Sequence, residues 1–310
     1  MIDTRPVIQE IIDPAQNFEA KLFIKRDDLM HPFISGNKWW KLKYNFQAAR
    51  ENGYQTILTF GGPFSNHIAA TAAAGKVYGF KTIGIIRGER PADSNKTIEF
   101  ALNNGMELYF IDRANYRKKD SAGFIDQLEK KFGSFYLIPE GGANLAGVKG
   151  CAEMLEGVNF SYNYICCPCG TGTTLAGLIL SEKKEAKVLG FSALKGGEFL
   201  KDNVSDFLTA AAEREFSDSN RYHNWEIITD YHFGGYAKVK PELIKFVQAF
   251  ETRTGIPLDF VYTGKMISGI YDMGAKSFFK ASDKILIIHT GGLQGKQIQE
   301  STSIKDSGMI

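Results

Sequence analysis

The segment Tyr162-Asn163-Tyr164-Ile165-Cys166-Cys167-Pro168-Cys169-Gly170-Thr171-Gly172-Thr173-Thr174-Leu175 decides how the chain folds. Tyr162 to Cys167 is a short apolar run suited to a buried strand, the glycines that follow suit a tight turn, and a helical pattern runs from Leu175 to Lys183. Strand, glycine turn and helix in that order begin a βαβ unit. Working outward, apolar β-rich runs recur at Thr56 to Phe60, Lys81 to Ile86, Lys187 to Ser192 and Ile285 to His289. Helical patterns cover Lys41 to Asn52, Asn66 to Tyr78, Thr97 to Asn104, Gly123 to Phe132, Phe199 to Phe216 and Pro241 to Thr254. Strands that are apolar throughout, separated by helices, imply an α/β fold whose parallel sheet is covered on both faces.

The length of 310 residues suits one large α/β unit or two lobes packed together. No repeat, low-complexity stretch or Pro/Ser linker marks a boundary. A second unit is therefore expected as an inserted lobe, at about residues 46–150, with residues 1–45 and 151–310 forming the larger lobe.

Hydrophobic residues make up 44% and charged residues 23%, the balance of an ordinary globular protein. The net charge is +2, from 37 basic and 35 acidic residues, and the basic ones are scattered apart from short runs such as Arg117 to Lys119. Nucleic acid is not an expected partner. The stretch Met1-Ile2-Asp3-Thr4-Arg5-Pro6 lacks a basic start followed by an apolar core, and no run of eighteen apolar residues occurs, so a membrane is not expected and the chain reads as cytoplasmic. Cys166, Cys167 and Cys169 are too close in sequence to bridge one another, and no second Cys or His pair stands at zinc spacing. They read as the end of a buried strand, with no metal.

In open parallel sheets ligands bind beyond the carboxyl ends of the strands, so the turns after the strands are where chemistry is sought. Gly170, Thr171, Gly172, Thr173 and Thr174 place free N–H groups and hydroxyls at a helix N-terminus, a cup for a phosphate. No Gly-Lys-Ser/Thr follows, so this is not a Walker loop, and Leu175 stands where a dinucleotide fingerprint needs its third glycine. A nucleotide-dependent oxidoreductase would also need an acidic residue on the ribose, and Phe191 to Gly197 offers none.

In Ser35-Gly36-Asn37-Lys38, Ser35 or Asn37 serves as N-cap, which puts Lys38 in the first turn of a helix. The helix dipole repels a cation there; with burial, that repulsion lowers the amine's pKa, as a Schiff-base lysine requires. Ser65 and Asn66 open an alanine-rich helix, where a hydroxyl and successive N–H groups suit a carboxylate, and His67 follows. Tyr236 and Tyr262 each come after an apolar, strand-like run, and Ile285 to Gly292 is a strand ending in Thr290 and two glycines, with Thr290 placed to face a ring nitrogen.

Taken together, these segments resemble the fold-type II pyridoxal-phosphate enzymes, specifically the family of 1-aminocyclopropane-1-carboxylate deaminase and D-cysteine desulfhydrase. The resemblance runs from Lys25-Arg26-Asp27-Asp28-Leu29 to Gly291-Gly292, through Gly-Asn-Lys, Ser-Asn-His, Gly-Thr-Gly-Thr, Tyr-Thr-Gly-Lys and His-Thr-Gly-Gly in that order. It implies the two-lobed, three-layer fold of the tryptophan synthase β-subunit, a homodimer, and pyridoxal 5′-phosphate between the lobes. By that resemblance Lys38 carries the cofactor covalently, Asn37 lies beside its ring, Asn66 bonds its phenolic oxygen, and Gly170 to Thr174 hold its phosphate. Ser65, Asn66 and His67 lie near the substrate, and Tyr236 and Tyr262 match the family's two active-site tyrosines.

The resemblance also bears on substrate. In the cyclopropane deaminases glutamate follows the tyrosine matching Tyr262, whereas here Thr263 does; after the histidine matching His289 leucine is common there, and Thr290 stands here. Both differences resemble the desulfhydrases. A carboxylate beside the pyridine nitrogen keeps it protonated and strengthens the ring as an electron sink, which suits opening a strained ring; a neutral hydroxyl, here expected on the cofactor from Thr263 and Thr290, does not, and expelling sulfide needs less. The expectation is D-cysteine desulfhydration to pyruvate, sulfide and ammonia, with cyclopropane deamination to 2-oxobutanoate and ammonia as the alternative.

Overall fold

The computed structural model describes residues 5–90, 95–182, 185–213 and 224–293. Met1 to Thr4, Lys183 and residues 214–216, on which some of the expectations above fall, lie outside the described residues. In chain order the elements are β1 (Ile8–Glu10), β2 (Lys21–Lys25), α1 (Asn37–Glu51), β3 (Thr56–Gly61), α2 (Asn66–Tyr78), β4 (Lys81–Arg87), α3 (Lys96–Asn103) and β5 (Met106–Ile111). They continue with α4 (Arg113–Tyr116), α5 (Ala122–Phe132), β6 (Tyr136–Ile138), α6 (Leu145–Cys151), β7 (Tyr164–Cys169), α7 (Thr173–Ser181) and β8 (Lys187–Ser192). The last are α8 (Leu200–Ala212), β9 (Trp225–Ile228), α9 (Pro241–Thr254), α10 (Thr263–Ala275) and β10 (Lys284–Ile288).

The strands form two sheets, one ordered β1-β2-β10-β7-β8-β9 and one ordered β5-β4-β3-β6. All pairs are parallel except β1 on β2. The small sheet falls wholly between β2 and β7 in sequence, inside the span 46–150, while both ends of that span lie within helices, α1 and α6.

Strand β10 shows why both faces of the large sheet are covered. Ile285 and Ile287 enter one core with Phe250, Phe260 and Met266, whereas Leu286 and Ile288 enter the opposite core with Trp40, Leu175 and Leu178. Each such side chain, fully withdrawn from water, contributes about 1.5–3 kcal/mol. The same alternation separates the cysteines: Cys166 faces the first core, Cys167 and Cys169 the second. Burial raises the pKa of all three thiols, so they pack as small hydrophobic groups.

The expected strand at Tyr162 to Cys167 begins later and continues through Pro168 to Cys169. A proline is unwelcome in a central strand because it cannot donate to the ladder. Here β10 pairs β7 only as far as Cys166, while β8 stays paired through Cys169. Pro168 therefore lies where β7 has lost its β10 neighbour, and the parting of the two strands opens a crevice at their carboxyl ends. The segments after β2, β10 and β7, adjacent in the sheet, all emerge there, facing the turn after β3.

The sequence reading omits β1, β2, β5, β6, β9, α4, α6 and α10. Strands β1 and β6 have three residues each, too few to show an alternation. Helix α10 contains Gly264, Gly269 and Gly274, poor helix formers, yet each is required by contact: a Cβ on Gly274 would stand 2.4 Å from the Phe18 ring and one on Gly264 2.6 Å from the Asp259 carbonyl oxygen. The apolar run before Tyr262, expected as strand-like, is a buried turn.

Candidate active site

A cleft of about 900 Å³ lies at these strand ends. It is lined by residues from the turns after β3, β7 and β10 and from the start of α1.

The α1 side is fixed by Gly36. Neither Ser35 nor Asn37 caps the helix; Gly36 is the N-cap, at φ 61°, without a side-chain cap bond. A Cβ on Gly36 would stand 2.1 Å from the Thr290 carbonyl oxygen, so close approach of two backbones, not a capping side chain, selects this residue. Asn37 is thereby free for other contacts. Its Nδ2 donates to Thr174 Oγ1 at 3.0 Å, and its Oδ1 accepts from Lys38 Nζ at 2.8 Å. Loss of solvation and, after it, the Lys41 charge lower the Lys38 amine to about 7, so a large share of it is neutral near pH 7.

Lys41 is a site residue that the sequence reading missed. It is 4% exposed, and its Nζ donates to the Gly141 carbonyl at 3.1 Å and to Thr171 Oγ1 at 3.3 Å. No carboxylate among the described residues pairs with it, so a buried cation borders the cup. The signal was present: Lys41 stands three residues after Lys38, on the same helical face. In the cup itself Gly172 takes φ +83°, a left-handed conformation, and a Cβ on Gly170 would lie 3.2 Å from the Tyr262 ring. The hydroxyls of Thr171 and Thr173 lie 3.0 Å apart.

Across the cleft Ser65 is the N-cap of α2, its Oγ accepting from Ile68 N at 3.3 Å. Asn66 follows, its Nδ2 2.9 Å from where a Cβ on Gly292 would stand. His67 is buried and neutral, its pKa held well below the usual value by loss of solvation and then by Lys38 and Lys41. Thr59 Oγ1 donates its single hydrogen to the Ile138 carbonyl at 2.8 Å and must therefore accept from His67 Nε2 at 2.9 Å. The Nδ1 lone pair of His67 is buried without a partner among the described residues, on a residue that lines the cleft.

Tyr236 and Tyr262 close the far side, their rings edge to face with centroids 6.1 Å apart. Loss of solvation raises both hydroxyls, and the two share a hydrogen bond; Tyr236 is the one open to solvent, at 44% exposure. Thr290, Gly291 and Gly292 line the cleft, but Thr263 does not. Thr263 Oγ1 donates to Asp259 Oδ2 at 2.6 Å and accepts from Asp259 N at 2.9 Å. This corrects the expectation that Thr263 offers a hydroxyl toward the ring nitrogen: that hydroxyl is already committed. Asp259, also missed, accepts from the N–H groups of Val261, Tyr262 and Thr263 as well, so it caps α10 and fixes Tyr262. Asp259 lies three residues before the N-cap Tyr262, outside the position where a capping side chain is looked for, so no local signal in the sequence marks it.

A desolvated near-neutral amine, a glycine-threonine cup bordered by a second lysine, and polar turns from the two sheets define an α/β enzyme built around a phosphorylated cofactor. The chain belongs to the family of pyridoxal-phosphate dependent enzymes, whose model matches residues 8–291. A Pyrococcus furiosus protein provisionally named as a 1-aminocyclopropane-1-carboxylate deaminase is 32% identical over 286 residues, covering 89% of this chain and 86% of that protein. An Arabidopsis thaliana protein named as a bifunctional D-cysteine desulfhydrase/1-aminocyclopropane-1-carboxylate deaminase is 31% identical, covering 89% and 73%. The crystal structure of an ACC deaminase homologue superposes with a TM-score of 0.84 at 28% identity, covering 97% of this chain and 94% of that one.

The cofactor is pyridoxal phosphate, and the residues present fit it. Lys41 has no anionic partner among the described residues, and Gly141 stands where a Cβ would lie 3.1 Å from the Thr171 side chain of the cup.

Proposed function

We propose that this cleft breaks down D-cysteine by β-elimination, with D-cysteine and water giving pyruvate, sulfide and ammonia. The observation that carries the reading is the Lys38 amine at about 7, placed between the Gly170–Thr174 cup and the Ser65–Asn66 turn. Bound pyridoxal phosphate supplies an electron sink for the negative charge developed at the substrate α-carbon.

The chain's own groups have distinct tasks. Lys41 Nζ and the N–H groups and hydroxyls of the cup neutralise and orient the phosphate. Ser65 Oγ and the first N–H groups of α2 hold the substrate carboxylate. The neutral Lys38 amine takes the α-proton, a task that its lowered pKa fits at neutral pH. Tyr236, the more accessible of the paired tyrosines, delivers a proton to the departing sulfur. Asn37 holds Lys38 Nζ, and Asn66 reaches the cofactor's phenolic oxygen.

The choice of substrate rests on Thr290, and on the absence of a carboxylate at position 263. Asp259, the nearest acid to that position, is saturated by four donors. A weaker electron sink suits expulsion of sulfide. The names of the relatives favour a second reading equally, deamination of 1-aminocyclopropane-1-carboxylate to 2-oxobutanoate and ammonia. Steady-state assays on cofactor-loaded protein with D-cysteine, L-cysteine, D-serine and the cyclopropane amino acid decide between them. Higher kcat/KM with sulfide release from D-cysteine is expected; 2-oxobutanoate release at higher kcat/KM supports the second reading. The resemblance further implies a homodimer; the cytoplasmic reading rests on the sequence alone.

A further inference from the structure

Lys265, the last residue of the Tyr-Thr-Gly-Lys segment, has no task in the scheme above. It is 2% exposed, does not line the cleft, and sits in the first turn of α10, where the helix dipole disfavours a cation. Its Nζ donates to two main-chain carbonyls, His232 O at 2.9 Å and Gly235 O at 2.8 Å. Burial lowers the amine to about 8 and Asp259 opposes that shift, so it stays mostly charged at neutral pH.

The loop that it grips is unusual. Phe233, Gly234, Gly235 and Ala237 have φ of 50°, 95°, 117° and 55°. Left-handed conformations at non-glycine residues persist only where the surroundings impose them. Within the loop Gly235 N donates to His232 O and Lys238 N to Gly235 O. Those two carbonyls close the turn that leads into Tyr236 and the turn that contains it, and they are the same two that Lys265 holds. Asp259 fixes Tyr262 at the N-cap of α10, and Lys265 fastens the Tyr236 loop three residues further along. One helix start therefore sets both rings.

We propose that Lys265 is a positioning residue for Tyr236, tying the carbonyls of His232 and Gly235 to α10 so that the Tyr236 hydroxyl is held against Tyr262 and over the cleft. The inference rests on Tyr236 being an active-site group.

A double-mutant cycle tests it, with wild type, Lys265→Met, Tyr236→Phe and the double variant, each loaded with pyridoxal phosphate. Active-site concentration is taken from the absorbance of bound cofactor, so that misfolded protein is discounted, and the substrate is whichever of D-cysteine and the cyclopropane amino acid the wild type turns over. Lys265→Met is expected to lower kcat/KM by about 10- to 100-fold, the effect of sub-ångström to ångström misplacement of a reacting group. The same change in the Tyr236→Phe background is expected to cost less than about threefold, because the hydroxyl being positioned is gone. Equal losses in both backgrounds, or no loss in the wild type, overturn the proposal. Full activity of Tyr236→Phe alone overturns its premise, a separate outcome. If Lys265→Met yields no folded protein, Lys265→Gln carries the same cycle.

Discussion

Helices α1 and α10 each carry a lysine in the first turn, Lys38 half-buried at the cleft and Lys265 fully buried, and in both loss of solvation outweighs every favourable charge nearby, bringing the amine to about 7 and about 8. The two differ in what the amine touches. Lys265 Nζ is enclosed by two main-chain carbonyls and lies away from the cleft; Lys38 Nζ has a single side-chain amide and faces open volume between the two sheets. A depressed pKa is thus common to a structural and a reactive amine, and access decides which is which. Lys41, between them in character, is buried and holds two acceptors like Lys265, but it borders the cleft.

The largest effect that sharpens this contrast is expected from Lys38→Ala, which removes the proposed covalent anchor and base. A loss of at least about 10⁴-fold in kcat is expected from steady-state kinetics. Lys41→Met comes next. It leaves the phosphate without its cation, and a charged hydrogen bond of about 1.5–3 kcal/mol corresponds to roughly 10- to 100-fold weaker cofactor binding in a titration of apo-protein.

The smallest effect concerns pH. Because the Lys38 pKa is lowered to about 7, its neutral fraction rises as pH increases through 7 and then levels off. Cofactor loading of apo-protein should accelerate about tenfold between pH 6 and pH 8 and change little above that. A rate that keeps climbing about tenfold per pH unit to pH 9 is the behaviour of an ordinary lysine and contradicts the assignment.

How much of this could be read from the sequence follows the range of the interactions. The α/β class, the cup after β7 and the Ser65 cap are local patterns of strand, glycine and helix within a dozen residues. Lys38 in the first turn of α1 was legible, but its cap was not: Gly36 is selected by the Thr290 carbonyl, more than 250 residues away. Lys41 was legible in spacing alone and gained meaning only when Thr171 and Gly141 were brought to it. Asp259 and α10 were hidden because an apolar run with glycines reads as strand or turn until Phe18, Tyr231 and Val247 are known to press on those glycines. The Thr263 hydroxyl shows the reverse error, a group correctly singled out whose partner is a carboxylate four residues back rather than the cofactor.

The account turns on which amine holds the cofactor. Borohydride reduction of the loaded protein, followed by proteolysis and mass spectrometry, should place the cofactor mass on the peptide containing Lys38 and on Lys38 itself. A tag on Lys41 or Lys265 in its place, or loaded protein that carries no tag, contradicts it.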